Sequence, residues 1–194
     1  MDDRNKHYTG QSWATSTPFF YGWVIVAVAG LTHFTAAPGQ TYVISIFLEP
    51  MIRDMEWSRT VFSGLYTVGS MTAALFMVGV GRTLDRFGAR RTLVILCLLM
   101  GMATFWMSSV DSMWELFIGF ALLRAIGQGS FGLVATTMIS TWFIRLRGLA
   151  TAVASLGGAA SMTAFPFLIH ILIEYFDWRQ TWVVLGILVW ALLL

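Results

Sequence analysis

Gly79-Val80-Gly81-Arg82-Thr83-Leu84-Asp85-Arg86-Phe87-Gly88-Ala89-Arg90-Arg91 is the stretch from which the rest of the chain can be placed. It is rich in glycine, carries four arginines and one aspartate, and separates two long apolar runs, residues 61–78 and 93–107. A polar knot this short between such runs reads as a tight loop between two membrane spans. Its arginines assign it to the cytoplasmic side, because an excess of Lys and Arg in short loops sets orientation.

The composition agrees. Of 194 residues, 57% are hydrophobic and 11% are charged, where a soluble domain carries roughly 25% charged residues. A soluble core of this size cannot absorb so much apolar surface, whereas a bilayer can. The basic residues cluster in short loops, which argues against a nucleic-acid face. Cys97 is the single cysteine, so there is no disulfide framework and no CxxC site, and neither metal nor cofactor is expected. Residues 1–18 read as a polar cytoplasmic tail. The apolar run that follows is too long for a signal-peptide core and reads as a retained span.

A span needs about 20 apolar residues, and six fit: 20–48, 60–79, 92–109, 114–140, 148–173, and a last one from about 181 to the end of the sequence. Residues 19–194 thus read as one six-helix transmembrane domain, cut off within its sixth helix. With the tail inside, the inner side holds Arg4, Lys6, Arg82, Arg86, Arg90, Arg91, Arg145 and Arg147, against Arg53, Arg59 and Arg179 outside. This asymmetry predicts a multi-pass cell-membrane protein with a cytoplasmic N-terminus.

The spans differ in kind. Three and six are bulky and apolar nearly all round, as lipid-facing helices are. Two and five carry small-residue stripes, Ser63, Thr67, Ser70 and Ala74 in one and Thr151, Ser155, Ala159 and Thr163 in the other, which permit close helix packing. One and four carry polar and broken features: His33, Pro38, Gly39 and Gln40 in one, Arg124, Gly127, Gln128 and Gly129 in four.

Arg124 is the only charge deep in a span. Such a charge faces a bundle interior or a water-filled cavity, and a guanidinium matches a carboxylate in bidentate geometry. The bland alternative is a structural arginine bonded to helix carbonyls. His33 falls near the same depth by residue count, so the pair is expected to share an anion or couple it to a proton. The Ala36–Gln40 interruption is either a plain proline kink or a broken span whose freed backbone meets substrate. The expected substrate-binding set is Arg124, His33, Gln40, Tyr42 and Gln128. His170 reads as interfacial. Residues 127–132 match GxGxxG but lie inside a span, so no dinucleotide is expected. No catalytic set of a membrane hydrolase is visible.

Gly81-Arg82-x-x-Asp85-Arg86-Phe87-Gly88-x-Arg90-Arg91 resembles the signature loop between the second and third helices of the major facilitator superfamily. Trp142-Phe143-x-Arg145-x-Arg147-Gly148-Leu149-Ala150 resembles the fourth-to-fifth loop of its monocarboxylate and oxalate–formate branches. Asp177-Trp178-Arg179 is similar to the start of the sixth helix, and Tyr21-Gly22-Trp23 to the start of the first. The resemblance implies an all-α fold in which these six helices are the N-terminal half of a twelve-helix transporter. It implies helices one and four at the cavity, two and five at the interface between halves, and three and six outside. It implies a conformational latch at Gly81, Asp85, Arg86, Gly88, Arg90 and Arg91, with its counterpart in the absent half. The function implied is secondary transport of small organic anions, monocarboxylates first, by alternating access with proton coupling or exchange. The partners expected are that second half and the lipid bilayer, with no nucleic acid. A complete six-span scaffold or sensor that dimerises is the reading from another class, and drug efflux is a third; Ser161-Met162 stands where drug–proton antiporters carry Gly-Pro.

Overall fold

The computed structural model describes residues 21–193, all helical or connecting, with no strand among them. The expected tail, residues 1–18, lies outside the described residues. Span one is two helices, α1 (Gly22–Thr35) and α2 (Thr41–Met55), joined by a 3₁₀ turn at Ala37–Gly39 and an extended Gln40 (φ −90°, ψ 150°). Pro38 cannot donate within a helix, and its ring crowds the preceding turn, so the helix stops and restarts where the sequence placed the break.

Helix α3 (Arg59–Ser108) starts on Ser58, whose hydroxyl accepts from the Val61 amide at 3.2 Å. Its 50 residues would measure about 75 Å if straight, more than twice a ~30 Å hydrocarbon core. It folds back at Gly88 (φ 76°, ψ 167°), a conformation essentially reserved for glycine. Gly69 and Met107, equally far in sequence from Gly88, both meet the same part of the next helix: a Cβ at Gly69 would lie 3.2 Å from Phe120 Cβ, and a Cβ at Gly119 would meet the Met107 side chain. The expected loop at 79–91 is therefore corrected. It is helical on both sides, and the reversal takes one residue.

Span four runs through α4 (Met113–Leu123), a π-helical turn (Arg124–Ser130) and α5 (Phe131–Trp142). It opens with a capping box between Ser112 and Glu115, which satisfies orphan amides at both positions. Within the π turn the Ser130 hydroxyl donates to Ala125 O at 2.7 Å. No proline marks the π turn in the sequence. Helices α6 (Arg147–Tyr175) and α7 (Trp178–Leu193) complete the bundle. Arg59–Ser108, Met113–Trp142 and Arg147–Tyr175 are each long and apolar enough to cross a membrane, and the first, bent back at Gly88, has the length to do so twice.

Contacts between helices correct the sorting by residue type. Spans three and six are apolar all round but not lipid-facing all round. The Trp190 indole donates to Cys97 O at 3.2 Å, a Cβ at Gly101 would lie 2.7 Å from Trp190 Cδ1, and Trp182 stacks on Phe47 of span one at 4.1 Å. The small-residue stripes of spans two and five are not the packing faces within this bundle: Ser63, Thr67, Ala74, Ser155, Ala159 and Thr163 are exposed. The faces that pack are neighbouring ones, where Gly69 meets Phe120 and Ala121, and where a Cβ at Gly157 would lie 2.6 Å from the Gly30 carbonyl carbon. Where α3 ends and α7 begins, Arg179 bonds Asp111 at 2.7 Å and Ser108 O at 3.2 Å, while Trp178 donates to Asp54 at 3.1 Å, tying three spans together.

Candidate functional site

The break in span one and the π turn in span four meet at two glycines. A Cβ at Gly127 would lie 2.7 Å from Gly39 Cα and 2.9 Å from Ala36 O. No side chain fits between the backbones there. A π turn widens the helix by one residue and is frequent at functional sites, and here it begins at Arg124.

The Arg124 side chain crosses to span one and to span two. Its Nε donates to Ser70 Oγ at 3.1 Å, and its Nη1 donates to Gly39 O at 3.3 Å and Thr41 Oγ1 at 3.2 Å. The guanidinium carbon stands 5.1 Å from the centre of the Tyr66 ring, within cation–π range. The Tyr66 and Thr41 hydroxyls are hydrogen-bonded at 2.8 Å. Spans one and two thus hold a cation carried by span four. Among the described residues no acid pairs with Arg124, and its Nη2 makes no hydrogen bond. Arg124 lines a cavity of about 160 Å³ with Ser70, Ala73, Met77, Gln128 and Gly129. A second cavity of about 150 Å³ is lined by Thr41 and Tyr66 together with Ile44, Leu48 and Phe62.

Other expected site residues fall into two groups. Gln40 and Gln128 belong with Arg124: Gln40 Nε2 donates to Gly127 O at 3.4 Å, and Gln128 is exposed on the cavity. Tyr42 and His33 face α6 instead. The Tyr42 hydroxyl bonds Ser161 Oγ at 2.7 Å, and the His33 Cβ is the nearest atom to a Cβ built at Gly158. Arg124 reaches Gly39 and Thr41, in and just beyond the break of span one, whereas His33 lies before it in α1. No hydrogen bond joins His33 to Arg124 among the described residues, so the common depth expected from residue count does not bring them together. Ser70, Thr41 and Tyr66 were absent from the sequence reading. Ser70 was legible only as a stripe residue, and neither hydroxyl of the Thr41–Tyr66 pair carries a signal of its own in the sequence.

At the turn around Gly88, Arg82, Asp85, Arg86, Gly88, Arg90 and Arg91 are all exposed and Gly81 is half-buried. Arg86 lies over the Phe87 ring at 5.4 Å. Asp85 has no ion pair among the described residues.

The sequence profile of the family described as the Major Facilitator Superfamily matches residues 13–194. The chain belongs to the Major Facilitator Superfamily. Its six spans are the half-fold of that superfamily, so it is a membrane protein of a transporter family rather than an enzyme. Curated relatives include Monocarboxylate transporter 6 of Homo sapiens, 26% identical over 86% of this chain and 33% of that protein. Monocarboxylate transporter 9 of Mus musculus is 24% identical over 87% of this chain and 33% of that protein. The chain spans about a third of the length of the relatives it matches.

Proposed function

We propose that this chain is the N-terminal half of a secondary transporter for small organic anions, monocarboxylates first, working by alternating access with proton coupling or exchange. The observation that carries the reading is the cation at the junction of two broken spans. Arg124 is oriented by groups on spans one and two, lacks a carboxylate partner among the described residues, and keeps Nη2 for a ligand. The names of the relatives supply the substrate class. Arg124 takes the carboxylate, with Gln40 and Gln128 beside it. His33 and Tyr42, on the α6 side, are assigned to proton coupling and to shaping the wall. The exposed stripes of spans two and five receive the second half, and Asp85 with its arginines latches the halves on the cytoplasmic face of the cell membrane.

The test is uptake of labelled lactate, pyruvate, oxalate and formate by the full-length protein in proteoliposomes. Arg124→Lys keeps charge but loses the planar fork, and Arg124→Gln loses both. Each is expected to abolish uptake at unchanged membrane abundance, and near-normal uptake in both would reject the site. His33→Gln is expected to shift the pH profile of transport; an unaltered profile removes histidine from the coupling.

A further inference from the structure

The loop joining α5 to α6 displays apolar side chains that the bundle leaves uncovered. Ile144 is 85% exposed and Leu146 53%. The loop is nevertheless fixed at both ends. Trp142 and Phe143 turn inward against Tyr21 and Trp23, with ring centres 5.2 and 5.7 Å apart. Arg147 donates to Phe143 O at 3.0 Å and Ser140 O at 3.2 Å, closing the last carbonyls of α5. Ile144 and Leu146 therefore stand out of a held turn.

Arg145 stands between them, exposed and without a hydrogen bond or ion pair among the described residues. By the alternation of spans, this end of the bundle also presents Arg82, Arg86, Arg90 and Arg91 against Asp85, the one acid there among the described residues. An apolar–cation–apolar triplet beside a basic surface complements an interface that is apolar on one side and anionic on the other. The polar tail is not complementary in charge: residues 1–18 offer Asp2 and Asp3 against Arg4 and Lys6.

We propose that residues 144–146 form a contact for anionic phospholipid, Arg145 engaging the headgroup phosphate while Ile144 and Leu146 enter the acyl boundary. Arginine pairs with phosphate bidentately, and a basic residue beside an anionic leaflet contributes about 1 kcal/mol, roughly a fivefold effect. The proposal rests on the orientation given above, in which this loop is cytoplasmic, and is independent of the substrate.

The experiment uses the full-length protein carrying Ile144→Cys, with any cysteine beyond residue 194 replaced; Cys97 is buried. The new thiol is labelled with an environment-sensitive fluorophore, and the protein is reconstituted into phosphatidylcholine vesicles with and without phosphatidylserine. The expected result is a blue shift that grows with phosphatidylserine, the amount needed rising roughly fivefold in Arg145→Gln. Water-like emission in every vesicle overturns the proposal. So does a blue shift indifferent to phosphatidylserine and to Arg145, which would mean that another protein segment covers the loop. Orientation is read separately: an impermeant maleimide added outside intact cells should leave the Ile144→Cys variant unlabelled, and labelling would overturn the cytoplasmic placement without bearing on Arg124.

Discussion

Replacing Gly127 with alanine separates the junction from every other feature of the fold. The added Cβ would lie 2.7 Å from Gly39 Cα and 2.9 Å from Ala36 O. Carbon atoms settle at about 3.5–4.0 Å, so the two backbones must part by roughly 1 Å, and neither contact is with a side chain that could swing away. The Arg124 Nη1 bond to Gly39 O is already 3.3 Å long, and the same displacement carries it past bonding distance. Overpacking of this kind costs about 1–3 kcal/mol, and a 1 Å misplacement at a binding site costs on the order of 10²-fold in rate. Gly132, just beyond the π segment, has nothing within 4 Å of a built Cβ and serves as control. Thermal unfolding in detergent and substrate uptake in proteoliposomes are measured on the full-length protein. Gly127→Ala is expected to lose both stability and uptake, and Gly132→Ala neither. If the two variants behave alike, the close approach of span one to the π turn is wrong.

Gly88→Ala places a Cβ on a backbone at φ 76°, ψ 167° and should cost about 1–3 kcal/mol, read as lost folded yield, while Gly81→Ala, with open space around it, should not. Tyr66→Phe keeps the ring under Arg124 but loses the hydroxyl bond to Thr41; a net hydrogen bond of about 0.5–1.5 kcal/mol predicts a loss in apparent affinity of up to roughly tenfold, and Tyr66→Leu should lose more. Arg124→Gln should leave unfolding temperature near that of wild type while removing the stabilisation by substrate, which for wild type at 100 times Kd is about 2.7 kcal/mol; a large loss of stability without ligand would make the arginine structural. Asp85→Asn in the full-length protein should change transport rate and the inward–outward balance; no change in either would remove the latch.

The apolar runs and the short charged segments between them made the six-helix layout legible, because a bilayer demands long apolar segments. Pro38 gave away the break in span one by its missing amide. Two features were not legible. The turn at Gly88 looks in sequence like a loop, since the five charges between Arg82 and Arg91 are what loops carry; the structure keeps them helical because spans two and three both extend past the apolar zone. The π turn leaves no mark, because it needs only one extra residue in the ladder and a partner pressed against it, and that partner, Gly39, is 88 positions upstream of Gly127. Residue counting gave His33 and Arg124 a common depth, yet azimuth decides contact: His33 points to α6 while Arg124 reaches across the break to Thr41.

The charge balance at the junction bears on what the site is for. A guanidinium inside a span loses hydration that neutral hydrogen bonds replace only in part. Arg124 receives one carbonyl, two hydroxyls and an aromatic face, which orient it and spread its charge but leave a full positive charge in place. The acids of the described chain sit at span ends or in loops: Glu49, Asp54, Glu56, Asp85, Asp111, Glu115, Glu174 and Asp177. A purely structural arginine would be served better by a carboxylate within reach. An arginine of span four held by neutral groups on two other spans, with one nitrogen uncommitted beside a cavity of about 160 Å³, is completed by a carboxylate that can arrive and leave.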